Sequence, residues 1–301
     1  MPLFGLKFGT PPQPVYTVAE PPKDPKEIGV QKINFESYGL PEYNNKYALV
    51  LDNLFTLEDC KKLYSVIGGS YDDFSGDWEV AQLNAGGDKQ YLDTSYRNSG
   101  RIMVDTNEIA DWILQKIYPY LKDIHLLSDC SRHFIPIEEK RMAKAKLVQL
   151  NERLRFLRYE PGSFFKVSVH LNPSFKTKQT LQRHCDGMYY TPDRKRVSYY
   201  TLQIYLSGDS EGLKGGSTRI FSRKDAWDLG NNAPLKGPCL DIPSRVGRVL
   251  VFEQANLLHS GEPIKKGIKV SMRTDFMYEV VYDDTDGKKE DDDAMEVDSG
   301  R

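Results

Sequence analysis

Alternating apolar and polar positions dominate the second half of the chain and predict β-strands. The clearest case is the run SYYTLQIYLS at 198–207, which has one polar-aromatic face and one apolar face: Tyr199, Thr201, Gln203 and Tyr205 against Tyr200, Leu202, Ile204 and Leu206. Side chains that alternate in this way suit a strand with one face on a core and the other on a pocket. From Tyr159 onward such short strands are separated by glycine-rich turns. This spacing predicts a double-stranded β-helix, a jelly roll that closes most of its own edges.

The first half of the chain adds helices to this pattern. Thr56, followed by Asp59 three residues later, has the spacing of a capping box and predicts a helix from Leu57 to about Ile67. Asp105–Leu121 carries apolar residues at helical spacing and predicts an amphipathic helix that backs the sheet. Further strands are expected at Trp78–Leu83, Arg97–Val104, Lys146–Tyr159, Arg219–Phe221 and Val246–Glu253. The predicted fold class is therefore mainly β with flanking helices around a jelly-roll core.

Composition predicts one domain between two disordered ends. Residues 1–44 are rich in proline and charge and are expected to form a mostly disordered arm, and residues 282–301 an acidic disordered tail. The domain at 45–281 divides into a helical and strand part at 45–150 and a barrel part at 151–281. The N-terminus lacks a secretory pattern and no apolar run is long enough to span a membrane, which predicts an intracellular protein of the cytoplasm or nucleus.

Charge and cysteine content exclude some functions. The net charge of −2 and the absence of a basic stripe argue against a nucleic-acid partner. The four cysteines are scattered without CxxC spacing, so neither a zinc site nor a disulfide framework is expected. The composition does not indicate an oligomeric state.

A candidate metal site begins at His184-Cys185-Asp186. On a strand, residues i and i+2 point to the same side, so His184 and Asp186 would share a face. Two histidines and one carboxylate form the facial triad of non-haem Fe(II) sites, which leaves metal positions open. His259 is the only histidine after His184 and is the candidate third ligand. Taken singly, each residue is as well explained by an ordinary structural role, and the ordered set carries the hypothesis.

A basic residue should follow on the next strand to hold an anionic cosubstrate, and Lys269 lies ten residues beyond His259. These pieces stand in the runs YEPGSFF, HCDG, SYYTLQIYLSGDSEGLKGGSTRIF and GRVLVFEQANLLHSGEPIKKGIKVSMRTDFMYE. Together they resemble the 2-oxoglutarate- and Fe(II)-dependent dioxygenases of the prolyl 4-hydroxylase type. The resemblance covers roughly Tyr47 to Glu279, with five separate pieces in the family's order.

The resemblance implies an activity and its cofactors. The expected reaction hydroxylates an aliphatic C–H with Fe(II), 2-oxoglutarate and O₂, releases succinate and CO₂, and uses ascorbate as a reductant. The substrate would be a peptide, a protein or a small molecule, with a prolyl residue a plausible target. Lys269 matches the family's anchor for the distal carboxylate of 2-oxoglutarate, and Arg273, four residues on, could share this contact. Tyr205 is expected to donate its hydroxyl to the same carboxylate and Tyr159 to approach the end near the metal, although either tyrosine could simply pack in the core.

One segment departs from the family's pattern. Residues Val167–Gln182 separate YEPGSFFK from RHCDG, which the family joins almost directly. The segment begins with Val and ends with Gln, whose codons can supply the GT and AG boundaries of an intron. It is therefore a retained intron or a genuine insertion, and its His170 lacks a companion carboxylate. Two other functions remain open: a cupin-like barrel that binds another metal without 2-oxoglutarate, and an interaction module whose site the insert has disabled.

Overall fold

Two β-sheets face each other in the computed structural model, which describes residues 13–80, 83–84, 90–91, 97–128, 143–165, 184–225 and 235–282. The strands are β1 Val15–Thr17, β2 Gly29–Lys32, β3 Ala48–Asp52, β4 Glu79–Val80, β5 Leu83–Asn84, β6 Gln90–Tyr91, β7 Arg97–Asn98, β8 Gly100–Asp105, β9 Leu126–Leu127, β10 Ala143–Leu150, β11 Arg153–Tyr159, β12 Phe164–Phe165, β13 Arg196–Tyr205, β14 Lys214–Gly215, β15 Thr218–Phe221, β16 Cys239–Ile242, β17 Val249–Glu253, β18 His259–Gly261, β19 Ile264–Lys266 and β20 Lys269–Tyr282. The helices are α1 Leu57–Ser65 and α2 Asn107–Ile117, with short 3-10 turns such as Tyr118–Tyr120.

The strand order is that of a jelly roll. The larger sheet contains the run β17-β13-β20-β11, and the smaller sheet has the order β1-β16-β15-β18. An isolated bridge between His184 and His259 adds the His184 segment beside β18. The chain therefore alternates between the sheets. In the larger sheet lie β11, β13, β17 and β20, and between them the chain crosses to the smaller sheet as the His184 segment, as β15 and β16, and as β18. This arrangement confirms the predicted fold class of a mainly β protein with flanking helices and a jelly-roll core.

Alternation along β17 shows how the sequence divides the interior into two cores. Val249 and Val251 pack into the cluster between the larger sheet and the helices, whereas Leu250 and Phe252 pack into the cluster between the two sheets. Successive side chains of a strand point to opposite faces, so this strand is apolar on both sides. The expected polar-aromatic face of β13 holds from Thr201 to Tyr205. Tyr199 departs from it and packs with the helix-side core, because the register shifts between Ser198 and Tyr200.

Both predicted helices are present and cover the outer face of the larger sheet. The Thr56 side chain accepts a hydrogen bond from the Asp59 backbone N–H and the Asp59 carboxylate accepts one from Thr56, which confirms the capping box. In α2 the buried residues are Ala110, Ile113 and Ile117, one face of the helix. The strand expected across Trp78–Leu83 is described only as the short pairs β4 and β5.

The prediction of a disordered N-terminal arm is wrong for residues 13–44. β1 pairs in parallel with β16 at the edge of the smaller sheet, and β2 pairs with β3 at the edge of the larger one. Phe35, Leu40 and Tyr43 are buried in the core between the sheets. Proline is tolerated at sheet edges, so a proline-rich composition did not preclude this pairing. Residues 1–12, the insert Val167–Gln182 with its His170, and the tail from 283 onward lie outside the described residues.

Within the described part of the chain, no helix combines the length and the apolar character needed to cross a membrane.

A buried ion pair joins β3 to the turn before β17 and gives a stability prediction. Arg248, 1% exposed, donates from Nε and Nη2 to the two carboxylate oxygens of Asp52 at 2.7 and 3.1 Å. An Arg248→Met variant should lose about 3–5 kcal/mol of unfolding free energy in urea titrations, because Asp52 keeps a buried, unpaired charge. Arg153→Met breaks the exposed pair with Asp105 and should cost less than about 1 kcal/mol. Equal losses would contradict the role assigned to burial.

Candidate metal centre

The two candidate histidines are held together by backbone hydrogen bonds. The N–H of His184 donates to the carbonyl of His259 at 2.8 Å, and the N–H of His259 donates to the carbonyl of His184 at 2.8 Å. The imidazole centroids lie 4.4 Å apart. Two residues that the sequence names as ligands of one metal, far apart in the chain, are therefore fixed side by side at the edge of the smaller sheet.

Asp186 completes a cluster that could bind a metal. Its Oδ1 lies 3.7 Å from Nε2 of His184 and 3.8 Å from Nε2 of His259. One ligand atom from each of the three residues lies within 4.8 Å of the other two, and this group is the His/Cys/Asp/Glu cluster of metal-binding geometry found among the described residues. Two imidazole nitrogens and one carboxylate oxygen are the donors of a facial triad.

His259 has the tautomer and the neutral charge state that a metal ligand requires. Its Nδ1 lies 2.9 Å from the backbone carbonyl of Leu257, which assigns the proton to Nδ1 and leaves the lone pair on Nε2, toward Asp186. Burial, reinforced by the neighbouring His184, lowers the pKa of His259 to about 4. The imidazole is therefore neutral at physiological pH, as metal binding requires.

The Asp186 carboxylate is buried and kept ionised by its surroundings. Burial alone would raise its pKa, but the Arg273 guanidinium and the two histidines outweigh burial and hold the pKa far below its usual range. Arg273 Nη2 lies 2.9 Å from Oδ2, and the Thr201 hydroxyl donates to the same oxygen at 2.7 Å. Oδ2 is thus occupied by protein donors, while Oδ1 faces the two histidines.

Lys269 is a buried cation without a salt bridge. It is 4% exposed, and no carboxylate of the described residues lies within salt-bridge distance of its Nζ. Burial lowers the pKa of Lys269 to about 8, against a raising effect from Glu262. An ammonium group in this environment is costly unless an anion accompanies it. Gly216 lines the same space, where a Cβ atom would lie 3.2 Å from Cδ of Lys269 and 2.5 Å from Cδ1 of Ile264.

Both predicted tyrosines lie near Lys269. The Tyr205 ring centroid is 5.5 Å from Nζ of Lys269, and its buried hydroxyl donates to Thr218 Oγ1 at 2.7 Å. Tyr159 is the register partner of Lys269 across β11 and β20. The structure therefore brings Tyr205, Tyr159 and Lys269 to one end of the sheet, and the contact of each with a cosubstrate stays a prediction.

Arg273 pairs with one of the candidate metal ligands. Its Nη2 lies 2.9 Å from Oδ2 of Asp186, and the cosubstrate contact that it could share with Lys269 stays a prediction. Its Nε is nevertheless buried and has no acceptor among the described residues, so one donor remains for a bound group. Lys269 is consequently the stronger candidate for the main anchor.

The donor groups fit both Fe(II) and 2-oxoglutarate. The nitrogen and oxygen donors of the triad suit a borderline divalent metal and leave the opposite face of the metal open. An acid bound at that face would offer an anionic partner to Lys269 and to Nε of Arg273, which have none among the described residues. His184, Asp186 and His259 would hold the metal, and Lys269 the cosubstrate.

Residues around the triad were not assigned roles from the sequence. The sequence places Thr201 on the polar face of β13 but assigns it no function. Asp275 accepts hydrogen bonds from Arg155 at 2.9 Å and from Gln254 at 2.9 Å, which agrees with a structural role. The signal available was the run of alternate polar residues in KVSMRTD, since Lys269, Ser271, Arg273 and Asp275 all fall on one face of β20.

Comparison with known proteins gives only structural likeness. No family model matches the sequence, and no curated protein does. Among solved structures the chain is similar to a Pseudomonas putida prolyl-4-hydroxylase, with 14% identity, 81% of this chain and 94% of that chain covered, and a TM-score of 0.44. The chain is also similar to a viral collagen prolyl hydroxylase from Paramecium Bursaria Chlorella virus-1 in its 2OG complex. The identity is 18%, 78% of this chain and 98% of that chain are covered, and the TM-score is 0.39.

A third solved structure is a prolyl hydroxylase from Trichoplax adhaerens in complex with a peptide fragment of the hypoxia inducible factor oxygen degradation domain. The identity is 13%, 81% of this chain and 89% of that chain are covered, and the TM-score is 0.43. Likeness at this level does not establish an activity, so the function has to be argued from the residues of the site.

Proposed function

We propose that this protein is a 2-oxoglutarate- and Fe(II)-dependent dioxygenase. The observation that carries the proposal is a His184–Asp186–His259 cluster, with Asp186 and His259 buried and His184 half-buried, on the same barrel as a buried Lys269 that forms no salt bridge among the described residues. A cluster of this kind alone would bind many metals, and a buried lysine alone would not indicate a function. Together they supply the ligands for Fe(II) and a cation for an acid cosubstrate.

The chemistry divides between the cofactors and the chain. Fe(II), when bound with 2-oxoglutarate and O₂, supplies the oxidation that hydroxylates an aliphatic C–H and converts the cosubstrate to succinate and CO₂. His184, Asp186 and His259 fix one face of the metal. Lys269 neutralises the distal carboxylate of the acid in a pocket from which water is largely excluded, where an unpaired carboxylate would be costly. Ascorbate is proposed as the reductant that keeps the iron in the Fe(II) state.

The substrate proposed is an amino-acid side chain within a peptide, with proline as the first candidate. Tyr189 and Tyr190 are 40% and 39% exposed and follow Asp186 by three and four residues. Aromatic rings at the surface are a common means of binding extended, proline-containing peptides. Neither tyrosine specifies the target residue, so peptides with and without proline need to be compared.

An anaerobic titration tests the proposed function. Adding Fe(II) and then 2-oxoglutarate to the full chain should produce a weak visible charge-transfer band and raise the melting temperature, because both ligands bind the native state. Admitting O₂ should then release succinate. The His184→Ala variant serves as the control and should show neither the band nor the succinate.

Other outcomes of the titration identify the alternatives. Metal binding without a response to 2-oxoglutarate would favour a cupin-like metal protein. Binding of neither ligand would favour an interaction module without catalysis. Either result would remove the dioxygenase proposal.

A further inference from the structure

We propose that Arg273 and Thr201 are positioning residues that restrict Asp186 to one-oxygen coordination of the metal. The inference rests on the proposed metal site and concerns this chain's own residues around it. Oδ2 of Asp186 accepts from the Thr201 hydroxyl at 2.7 Å and from Arg273 Nη2 at 2.9 Å. Oδ1 is the oxygen that faces both histidines, at 3.7 and 3.8 Å.

The two oxygens therefore have different surroundings. A carboxylate can bind a metal through one oxygen or through both, and the second mode uses up one more position on the metal. Arg273 supplies a charge-assisted bond and Thr201 a short neutral one, so Oδ2 would have to give up both donors to reach the metal. Within the described residues these donors come from separate strands, β20 and β13, and hold the carboxylate from two directions.

Arg273 is itself held by a network in which Asp275 and Gln254 are buried and Arg155 is half-buried. Its Nη2 lies 4.0 Å from Oδ1 of Asp275. Asp275 accepts from Arg155 Nη1 at 2.9 Å and from Gln254 Nε2 at 2.9 Å. Charges of alternating sign thus follow one another from Asp186 to Arg155, so the guanidinium of Arg273 is balanced on both sides. The bond to Asp186 and the charge of Asp275 restrict the position of Nη2 of Arg273, whereas its Nε has no acceptor among the described residues.

The network returns to the segment that carries the ligands. The Ser198 hydroxyl donates to the side-chain oxygen of Gln254 at 2.9 Å and accepts from the backbone N–H of Tyr189 at 2.8 Å. Tyr189 lies three residues after Asp186, so the same set of bonds holds both the carboxylate and the backbone next to it. Outer contacts of this kind orient metal ligands in proteins generally.

Functionally, one-oxygen coordination keeps a metal position available. A facial triad is useful for oxygenation because the metal face opposite the protein stays open. With Asp186 bound through both oxygens, an acid cosubstrate and O₂ would compete for too few positions. Arg273 and Thr201 would then act on the reaction through Asp186, without contact with the substrate.

Water-proton relaxation of the Mn(II)-loaded protein tests this inference without using activity. Mn(II) prefers six ligands, so one-oxygen coordination leaves room for about three bound waters and two-oxygen coordination for about two. In the double variant Thr201→Val/Arg273→Met, Oδ2 loses both donors and the metal becomes its nearest electropositive partner. We expect relaxivity per bound Mn(II) to fall by about a third while Mn(II) still binds.

Controls separate the possible failures. Arg196→Met removes a guanidinium whose side-chain partner is Gln149 and should leave the relaxivity unchanged. Should the double variant not fold, Arg273→Met alone is measured and should show a smaller loss. Unchanged relaxivity per bound Mn(II) in these variants would overturn the inference, whereas a wild-type protein that binds no Mn(II) would instead overturn the proposed function.

Discussion

An Asp186→Ala variant is expected to bind Fe(II) more than about 100-fold more weakly than the wild-type protein and to release no detectable succinate. Replacing outer-shell partners of a metal ligand usually costs about 10–100-fold in affinity, and loss of a ligand itself should exceed that range. Asp186 is also the negative charge of the cluster, so its loss leaves the metal with two neutral imidazoles. Isothermal titration with Fe(II) under nitrogen, followed by a succinate assay, measures both effects.

The fold should tolerate this substitution better than Arg248→Met. The cation left behind, Arg273, has a side chain that is 25% exposed and still lies 4.0 Å from Asp275. Asp193→Ala is the matched control, because Asp193 is an exposed aspartate seven residues further along that bonds Thr191. The control should retain wild-type affinity and turnover. Wild-type Fe(II) affinity in Asp186→Ala would contradict the assignment of this ligand.

The metal cluster could be predicted from the sequence because its spacing rests on backbone geometry. In His184-x-Asp186 two side chains two residues apart point to the same side of an extended segment, and no tertiary knowledge is needed for that step. His259 followed from its being the only histidine later in the chain. The structure confirms that the three residues meet, although their pairing across the smaller sheet depends on contacts over 75 positions of sequence, the separation of His184 and His259.

The charge network could not be predicted in the same way. Arg273 and Lys269 are both basic residues on one face of β20, and spacing alone made each a candidate for the same carboxylate. Which cation is paired depends on what the neighbouring strands present to it. Thr201 and Gln254 lie on or beside other strands, and their approach to Asp186 and Asp275 is set by strand register. Register is a tertiary property that local pattern does not fix.

The order of the N-terminal segment also could not be predicted from the hydrophobic pattern. Proline and charge in residues 13–44 indicated disorder, yet β1 and β2 extend the two sheets. Pairing at a sheet edge uses backbone groups, and these are the same for every residue except proline. Apolar residues such as Phe35 and Tyr43 were too widely spaced to show strand or helix periodicity, although they are fully buried between the sheets.

A Lys269→Met variant is expected to raise the KM for 2-oxoglutarate by about 100-fold or more while leaving Fe(II) affinity nearly unchanged. Truncating one partner of a buried charge pair costs about 2–5 kcal/mol, and a 100-fold change corresponds to about 2.8 kcal/mol. Methionine keeps most of the side-chain volume, so the pocket beside Tyr205 should stay filled. Lys266→Met, at an exposed position of β19, is the control and should keep the wild-type KM.

The same variant should fold more stably than the wild-type protein in the absence of ligands. The pKa of Lys269 is lowered to about 8, so the folded state disfavours its charged form. At pH 7 both folded and unfolded chains carry this proton, and the shift corresponds to a cost of about 3 kcal/mol. This cost declines as the pH rises from about 8 toward the unfolded value. Urea titrations at pH 7 should therefore show a gain in unfolding free energy for Lys269→Met.

The pH dependence of cosubstrate binding follows from the same lowered pKa. The ammonium form of Lys269 binds the carboxylate, so wild-type affinity for 2-oxoglutarate should be constant below pH 8 and should fall by about tenfold per pH unit above it. In Lys269→Met that decline should disappear, because the titrating group is gone. A decline that persists unchanged in the variant would assign the anchor to another group, with the orphaned Nε of Arg273 as the next candidate. A gain in stability together with a loss of binding is expected for a buried cation that forms no salt bridge among the described residues, because its charge is neutralised only when the ligand binds.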